Sequence, residues 1–256
     1  MLLKLAPQAY NRYFEPFAGS AIFFLSNPQK LALLSDINPR LVETWQYIRS
    51  SPDKIAHELS SLATDAQTYY AVRAIDPRDQ TPLERSVSFL YLNRLCFNGV
   101  YRTNKNGRFN VPIGSRWGHM PTLEELQYTA NHLQRCHLVC HDFERIVGMA
   151  KEGDFVYLDP PYYSSNRKTD GEFGYGAFKP ADEARLCSAL NHLHERGAFF
   201  MLSYNKSPHV MKRLEWCNQV ELNPMRNVGG ASATRRRNME QVYRNYTLTN
   251  AWPNKL

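Results

Sequence analysis

The sequence predicts an α/β fold with a mostly parallel sheet, interrupted by an inserted, mainly helical segment. Three observations lead there. Short runs that are β-branched or aromatic-rich, each bounded by Gly, Pro, Asn or Asp, read as strands at Arg12–Phe17, Lys30–Asp36, Asp154–Asp159, Ala198–Ser203 and Gln241–Thr247. Helical patterns with recognisable starts and stops lie between them, the alternation expected of a parallel sheet. From about Ser51 to His141 that rhythm fails: helical pattern and a Gly/Asn-rich turn continue, with little to suggest a central strand.

In chain order, the first strand ends in Phe14-Glu15-Pro16-Phe17-Ala18-Gly19-Ser20-Ala21, where a glycine among small residues lets the backbone turn sharply toward a ligand. The second ends in Ser35-Asp36-Ile37-Asn38-Pro39, with Asn as N-cap and Pro at the first position of the next helix. Thr81-Pro82-Leu83-Glu84 is a capping box, and the helix it opens turns Leu83, Val87, Leu90 and Leu95 inward before Gly99. Pro180 starts a further helix, with Leu186, Leu190 and Leu193 inward and Gly197 at its end. The expected division is a main domain from 1–50 and 142–256, with 51–141 as the inserted subdomain.

Composition narrows the class. The chain has 256 residues, 43% hydrophobic and 12% aromatic, which fits a folded globular protein and not a disordered one. No apolar run nears the roughly 18 residues of a membrane span, and MLLKLAP is short for a signal peptide, so the expected place is the cytoplasm. Five irregularly spaced cysteines argue against a disulfide framework. The formal charge of +7 is uneven: residues 94–116 hold five basic residues and no acid, and 226–244 hold five with one acid.

Three segments carry chemistry. Asp36, 17 residues after Gly19 at the tip of the second strand, is placed to accept hydrogen bonds from the ribose hydroxyls of a nucleoside cofactor. The plainer reading is that Asp36 or Asn38 only caps the next helix. Leu158-Asp159-Pro160-Pro161-Tyr162 follows the apolar strand FVYL. Its two prolines leave the Pro160 carbonyl without a neighbouring N–H partner. Asp159 adds a carboxylate and Tyr162 a flat ring, giving two acceptors for an exocyclic amino group and a stacking face for its base.

FEPFAGSA, SDIN and LDPPY, in that order, resemble the Dam-type (D12 class, alpha group) family of DNA adenine-N6 methyltransferases. The likeness runs on through Asn93-Arg94…Phe97-Asn98-Gly99…Arg102 and through Gly107-Arg108-Phe109-Asn110-Val111-Pro112-Ile113-Gly114, and so covers nearly the whole chain. It implies a Rossmann-like sheet that binds S-adenosyl-L-methionine, with no metal, and an inserted DNA target-recognition subdomain containing a β-hairpin. By resemblance Phe17, Ala18, Gly19 and Ser20 contact the methionine part of the cofactor. Asp36 holds the ribose, Ile37 lies beside the adenine, and Asp159 is shared with the catalytic segment. The target adenine is flipped into the Asp159-Pro160-Pro161-Tyr162 pocket. Asp159 and the Pro160 carbonyl take its N6 hydrogens, and Tyr162 stacks on it. The implied partner is double-stranded DNA, met by a monomer.

Two features depart from the family pattern. The thirteen residues before Phe14 contain no Lys-Trp-x-Gly-Gly-Lys segment, and Ala21 stands where a second glycine is common. They leave a DNA-binding homologue with impaired catalysis as one alternative; cytosine-N4 methylation, whose enzymes share DPPY, is another.

Within the insertion, Asn104-Lys105-Asn106-Gly107 is a hairpin-turn signal flanked by Tyr101 and Phe109. A basic hairpin of this kind can reach base edges in the major groove, and Arg94, Asn98, Arg102, Asn104, Lys105 and Arg108 are the expected DNA contacts. Near the end, Gly229–Arg237 reads as a flexible loop whose Arg235, Arg236 and Arg237 clamp phosphates. His132, Cys136, His137, Cys140 and His141 are crowded into ten residues without a second ligand pair, so a helix end running into a strand with buried cysteines is preferred to zinc.

Overall fold

The computed structural model describes residues 2–28, 31–104, 106–115, 118–162, 178–222 and 240–248. Its strands form a single seven-stranded sheet: β1 (Tyr13–Glu15), β2 (Ala32–Asp36), β3 (Cys136–Cys140), β4 (Phe155–Leu158), β5 (Phe199–Asn205), β6 (Asn218–Leu222) and β7 (Glu240–Arg244). The order is β3-β2-β1-β4-β5-β7-β6, and only β7 runs antiparallel to its neighbours β5 and β6. The chain winds outward from β1 to β3, then returns to lay β4 on the other side of β1. The order therefore reverses between β1 and β4, where open α/β sheets form a crevice for ligands.

Nine helices are described: α1 (Ile22–Ser26), α2 (Pro39–Ser50), α3 (Pro52–Ser61), α4 (Ala66–Ala74), α5 (Pro82–Leu95), α6 (Leu123–Leu133), α7 (Phe143–Val147), α8 (Pro180–Glu195) and α9 (Pro208–Arg213). Their ends follow local chemistry. Asn38 Oδ1 accepts the Arg40 and Leu41 amides at 3.0 and 3.4 Å, capping α2. The Thr81/Glu84 capping box closes as expected, and Thr122/Glu125 forms a second one at α6.

The alternating strand residues sort the core into two layers. Tyr13, Leu34, Phe155, Tyr157 and Met201 pack with Phe24, Ile48, Ile55, Leu59, Tyr91 and Leu133. Phe14, Val156, Leu158, Phe200 and Leu202 face Ile146, Leu186, Leu190, Leu193 and Val210 on the other side. The helices of the interrupted region thus share one continuous core with the sheet.

The strands are shorter than the sequence suggests at β1 and β7. β3 lies inside residues 51–141 yet pairs along its whole length with β2, so the sheet itself takes in part of the stretch expected to be insertion. β6 was not foreseen: NQVEL is an edge strand with one fully buried residue and no apolar run. In α5 the inward face is shifted from expectation, with Val87, Tyr91, Leu92 and Leu95 buried and Leu83 and Leu90 only partly so. Cys96, Cys136, Cys187 and Cys217 are buried, but Cys140, at the open end of edge strand β3, is exposed.

The entry to β1 and β4 is clamped by one ion pair. Arg12 donates through Nε and a terminal nitrogen to Asp154 at 3.1 and 2.6 Å, and the Arg12 and Lys151 amides donate to the same carboxylate at 3.2 and 2.8 Å. Asp154 is buried while Arg12 keeps one edge in solvent. Asp154→Ala, which leaves two amides and the guanidinium without their acceptor, is expected to cost about 2–3 kcal/mol in urea denaturation.

Candidate active site at the open ends of β1, β2 and β4

The segment after β1 is a tight turn held from three directions. Gly19 lies at φ 48° and Ala21 at φ 51°, both left-handed. The Ala18 amide donates to the Ser35 carbonyl at 2.8 Å, the Gly19 amide to Asp36 Oδ2 at 3.1 Å, and the Trp45 indole N–H to the Gly19 carbonyl at 3.2 Å. Asp36 also accepts the Asn38 amide through Oδ1 at 2.9 Å. Of the two candidates for the helix cap, Asn38 takes that place, while Asp36 braces the glycine turn. Burial pushes the Asp36 carboxyl up, against the three amides that stabilise its charge. Ile37, directly after it, is 53% exposed, an uncovered apolar face at the sheet's open end.

Phe17 stacks on Phe143 of α7 at 5.1 Å between centroids and meets Phe178 edge-on at 6.2 Å. Across the crevice, Asp159 emerges exposed at the end of β4, Pro160 is buried, and Pro161 and Tyr162 are half-buried. Tyr162 meets the ring of Tyr204 edge-on at 5.4 Å and 88°. The glycine turn, Asp36 and Asp159 therefore follow the carboxyl ends of the neighbouring strands β1, β2 and β4.

One residue of this site escaped the sequence reading. Glu15, inside the first motif, is buried, and Tyr13 donates its hydroxyl to Glu15 Oε2 at 2.7 Å. Desolvation pushes the Glu15 carboxyl up to about 8, with the charge of Asp159 adding to the rise; the bonds from Tyr13 and the Phe24 amide work against it. The available signal was a carboxylate on a strand whose other residues are aromatic.

The hairpin candidates are placed but already engaged within the chain. Thr103 bridges Phe109, the Asn104 amide donates to Arg108 O at 2.8 Å and the Asn110 amide to Arg102 O at 3.1 Å, giving a hairpin closed by isolated bridges. Asn104 Oδ1 accepts the Asn106 and Arg108 amides at 2.9 and 3.1 Å, so this side chain forms the turn. Arg102 donates to Asn110 Oδ1 at 2.8 Å, Arg108 pairs with Asp76 at 2.5 Å, and Arg94 donates to the His119 carbonyl at 2.6 Å. Asn98 sits left-handed at φ 57° beside Phe97, which is 52% exposed. Lys105, Arg235, Arg236 and Arg237 lie outside the described residues.

The chain matches the family model for D12 class N6 adenine-specific DNA methyltransferases over residues 1–227. It is similar to the type II methyltransferase M1.LlaDCHI of Lactococcus lactis subsp. cremoris, with 31% identity over 94% of this chain and 89% of that one. A DNA adenine methylase of Haemophilus influenzae is 35% identical over 65% of this chain and 60% of its own. The type II methyltransferase M.MjaIII of Methanocaldococcus jannaschii is 34% identical over 75% and 73%.

Two outcomes follow from the turn and the buried acid. Ala21→Gly relieves about 1–2 kcal/mol of left-handed strain but loses a buried methyl and adds chain entropy. These terms offset, and stability in urea denaturation is expected to stay within about 1 kcal/mol of wild type. Folded Glu15 keeps its proton up to about 8 while the unfolded chain releases it near 4.5. The wild-type chain therefore loses stability as pH rises through that window, by up to about 1.4 kcal/mol per pH unit from this group. Urea titrations from pH 5 to 8 should show that loss, and Glu15→Gln should flatten it.

Proposed function

This chain belongs to the D12 class of N6 adenine-specific DNA methyltransferases, and from that premise we propose how its own residues carry the reaction. It methylates adenine N6 in DNA, so adenine and not cytosine is the target base. The family implies S-adenosylmethionine as the cofactor. When bound, it supplies a methyl group activated on a sulfonium.

The residues present fit such a molecule. Asp36 Oδ2 accepts the Gly19 amide and Oδ1 the Asn38 amide, with the Ile37 amide also favouring its charge, and an ionised carboxylate offers about four acceptor sites. Asp36 can therefore brace the turn and take ribose hydroxyls together. Ile37 offers its exposed face to the adenine. Phe17, Ala18, Gly19 and Ser20 line the methionine side, where the sharp turn allows close backbone approach.

The reading of catalysis rests on one observation: Asp159, Pro160 and Tyr162 stand at the end of β4, across the strand-order reversal from the Gly19 turn. Asp159 and the Pro160 carbonyl accept the two N6 hydrogens of the flipped base, which directs the nitrogen lone pair at the methyl. Pro161 stiffens the segment and Tyr162 stacks on the base. Rate then comes from alignment and preplaced acceptors. No group of three or more potential metal ligands occurs among the described residues, and the mechanism calls on no metal.

Double-stranded DNA is read by the inserted segment, 51–141, through the hairpin residues Arg94, Asn98, Arg102, Asn104, Lys105 and Arg108. Arg235, Arg236 and Arg237 add phosphate contacts without sequence information. Arg102 and Arg108 reach DNA by exchanging Asn110 and Asp76 for it. The unit proposed to act on DNA is a monomer. Its five free cysteines suit the reducing cytoplasm.

The test uses the purified chain, tritium-labelled cofactor and unmethylated duplex DNA, with methylome sequencing of an expressing host to define the target. Transfer to adenine N6 is expected, reduced at least about a thousandfold in Asp159→Ala with the fold intact. Cofactor and DNA binding without transfer would instead establish the impaired homologue.

A further inference from the structure

The aromatic contact behind Tyr162 leads to a buried carboxylate that neither the motifs nor the reaction has used. Glu183 lies on the inward side of α8, 2% exposed. Its Oε1 accepts the Tyr204 hydroxyl at 3.0 Å, and Oε2 stands 3.6 Å from His209 Nδ1 on α9. Tyr204, on β5, is fully buried. Its ring meets Tyr162 edge-on at 5.4 Å and 88°, and Phe178 at 6.4 Å and 60°. Phe178 in turn meets Phe17 of the glycine turn.

The hydroxyl tie fixes where the long axis of the Tyr204 ring lies, and the packing around a fully buried ring holds its plane about that axis. The hydroxyl end meets Glu183, and Tyr162 rests against the ring. A buried carboxylate needs hydrogen-bond donors to be tolerated. Tyr204 is such a donor, so the acid and the phenol fix each other. Aromatic pairs favour the perpendicular arrangement seen between Tyr204 and Tyr162, so a fixed Tyr204 sets the plane of the Tyr162 ring.

We propose that Glu183 and Tyr204 are positioning residues that hold the Tyr162 ring in the plane on which the flipped adenine stacks. The proposal rests on the reading of Tyr162 as the stacking face. Neither residue touches substrate; both act through Tyr162. Glu183→Gln keeps an acceptor for the phenol and should retain near-wild-type turnover. Tyr204→Phe keeps the ring and loses the tie, and Glu183→Leu loses the acceptor. Both should lower kcat about tenfold while leaving KM for S-adenosylmethionine unchanged.

A duplex with 2-aminopurine at the adenine identified by methylome sequencing supplies the second readout. With enzyme and S-adenosylhomocysteine, Tyr204→Phe and Glu183→Leu should give brighter fluorescence than wild type, because the extruded base stacks less well. The proposal is overturned if both variants match wild type in kcat and fluorescence. It is equally overturned if Glu183→Gln is as impaired as Glu183→Leu, since the tie would then not be what matters. Tyr162→Ala separates the premise: if it leaves fluorescence at the wild-type level, Tyr162 does not stack on the base and the stacking reading itself fails.

Discussion

The side-by-side pairing of β1 with β4 is the constraint on which the rest of the molecule depends. These strands are three and four residues long, yet the chain between them makes a long excursion through two strands and most of the helices. Bringing them together requires a register that short ladders specify poorly. The Arg12–Asp154 clamp supplies it at one end, with the Phe155 amide donating to the Arg12 carbonyl at 2.9 Å. The other end is then fixed by arithmetic of the pleat: Glu15, the glycine turn and Asp159 must emerge together. A crevice built this way owes its geometry to main-chain pairing, and the loops that line it inherit rigidity from the sheet.

That placement explains why Glu15 behaves unlike an ordinary glutamate. It lies under the crevice floor, hydrogen-bonded to Tyr13, in the field of Asp159. Two carboxyl groups so close to one ligand edge are unfavourable when both are charged and nothing positive is near. A cationic ligand changes that balance, because it stabilises both ionised forms at once.

Much of this was legible in the sequence, for identifiable reasons. Gly19, Asp36 and Asp159 could be placed because each sits where a strand ends, and strand ends in a parallel sheet converge. The helix starts at Asn38, Thr81 and Pro180 could be read because capping is local chemistry. What escaped was set by tertiary context. β6 has no apolar run because only one side of an edge strand is covered. Glu15 looked like a spacer within its motif because burial cannot be read from a single acidic letter. Arg102 and Arg108 looked like free cations, since Asn110 and Asp76 lie 8 and 32 residues further along or back.

The core shared between the sheet and helices α2 to α6 sets a limit on modularity. Ile48, Ile55, Leu59, Tyr91 and Leu133 belong to the same apolar layer as Tyr13, Leu34 and Phe155. The segment that interrupts the sheet is thus half of the wall on which the sheet leans. Such a segment cannot be exchanged whole, as a bead is exchanged on a string, without exposing the apolar layer of the sheet. The hairpin rim, where Asn98, Asn104 and Arg108 stand clear of that layer, can vary without disturbing it, while the helices beneath drift only as the sheet permits. In such an architecture variation is cheapest in small steps at an edge, and a graft of this segment must carry its share of the common core with it.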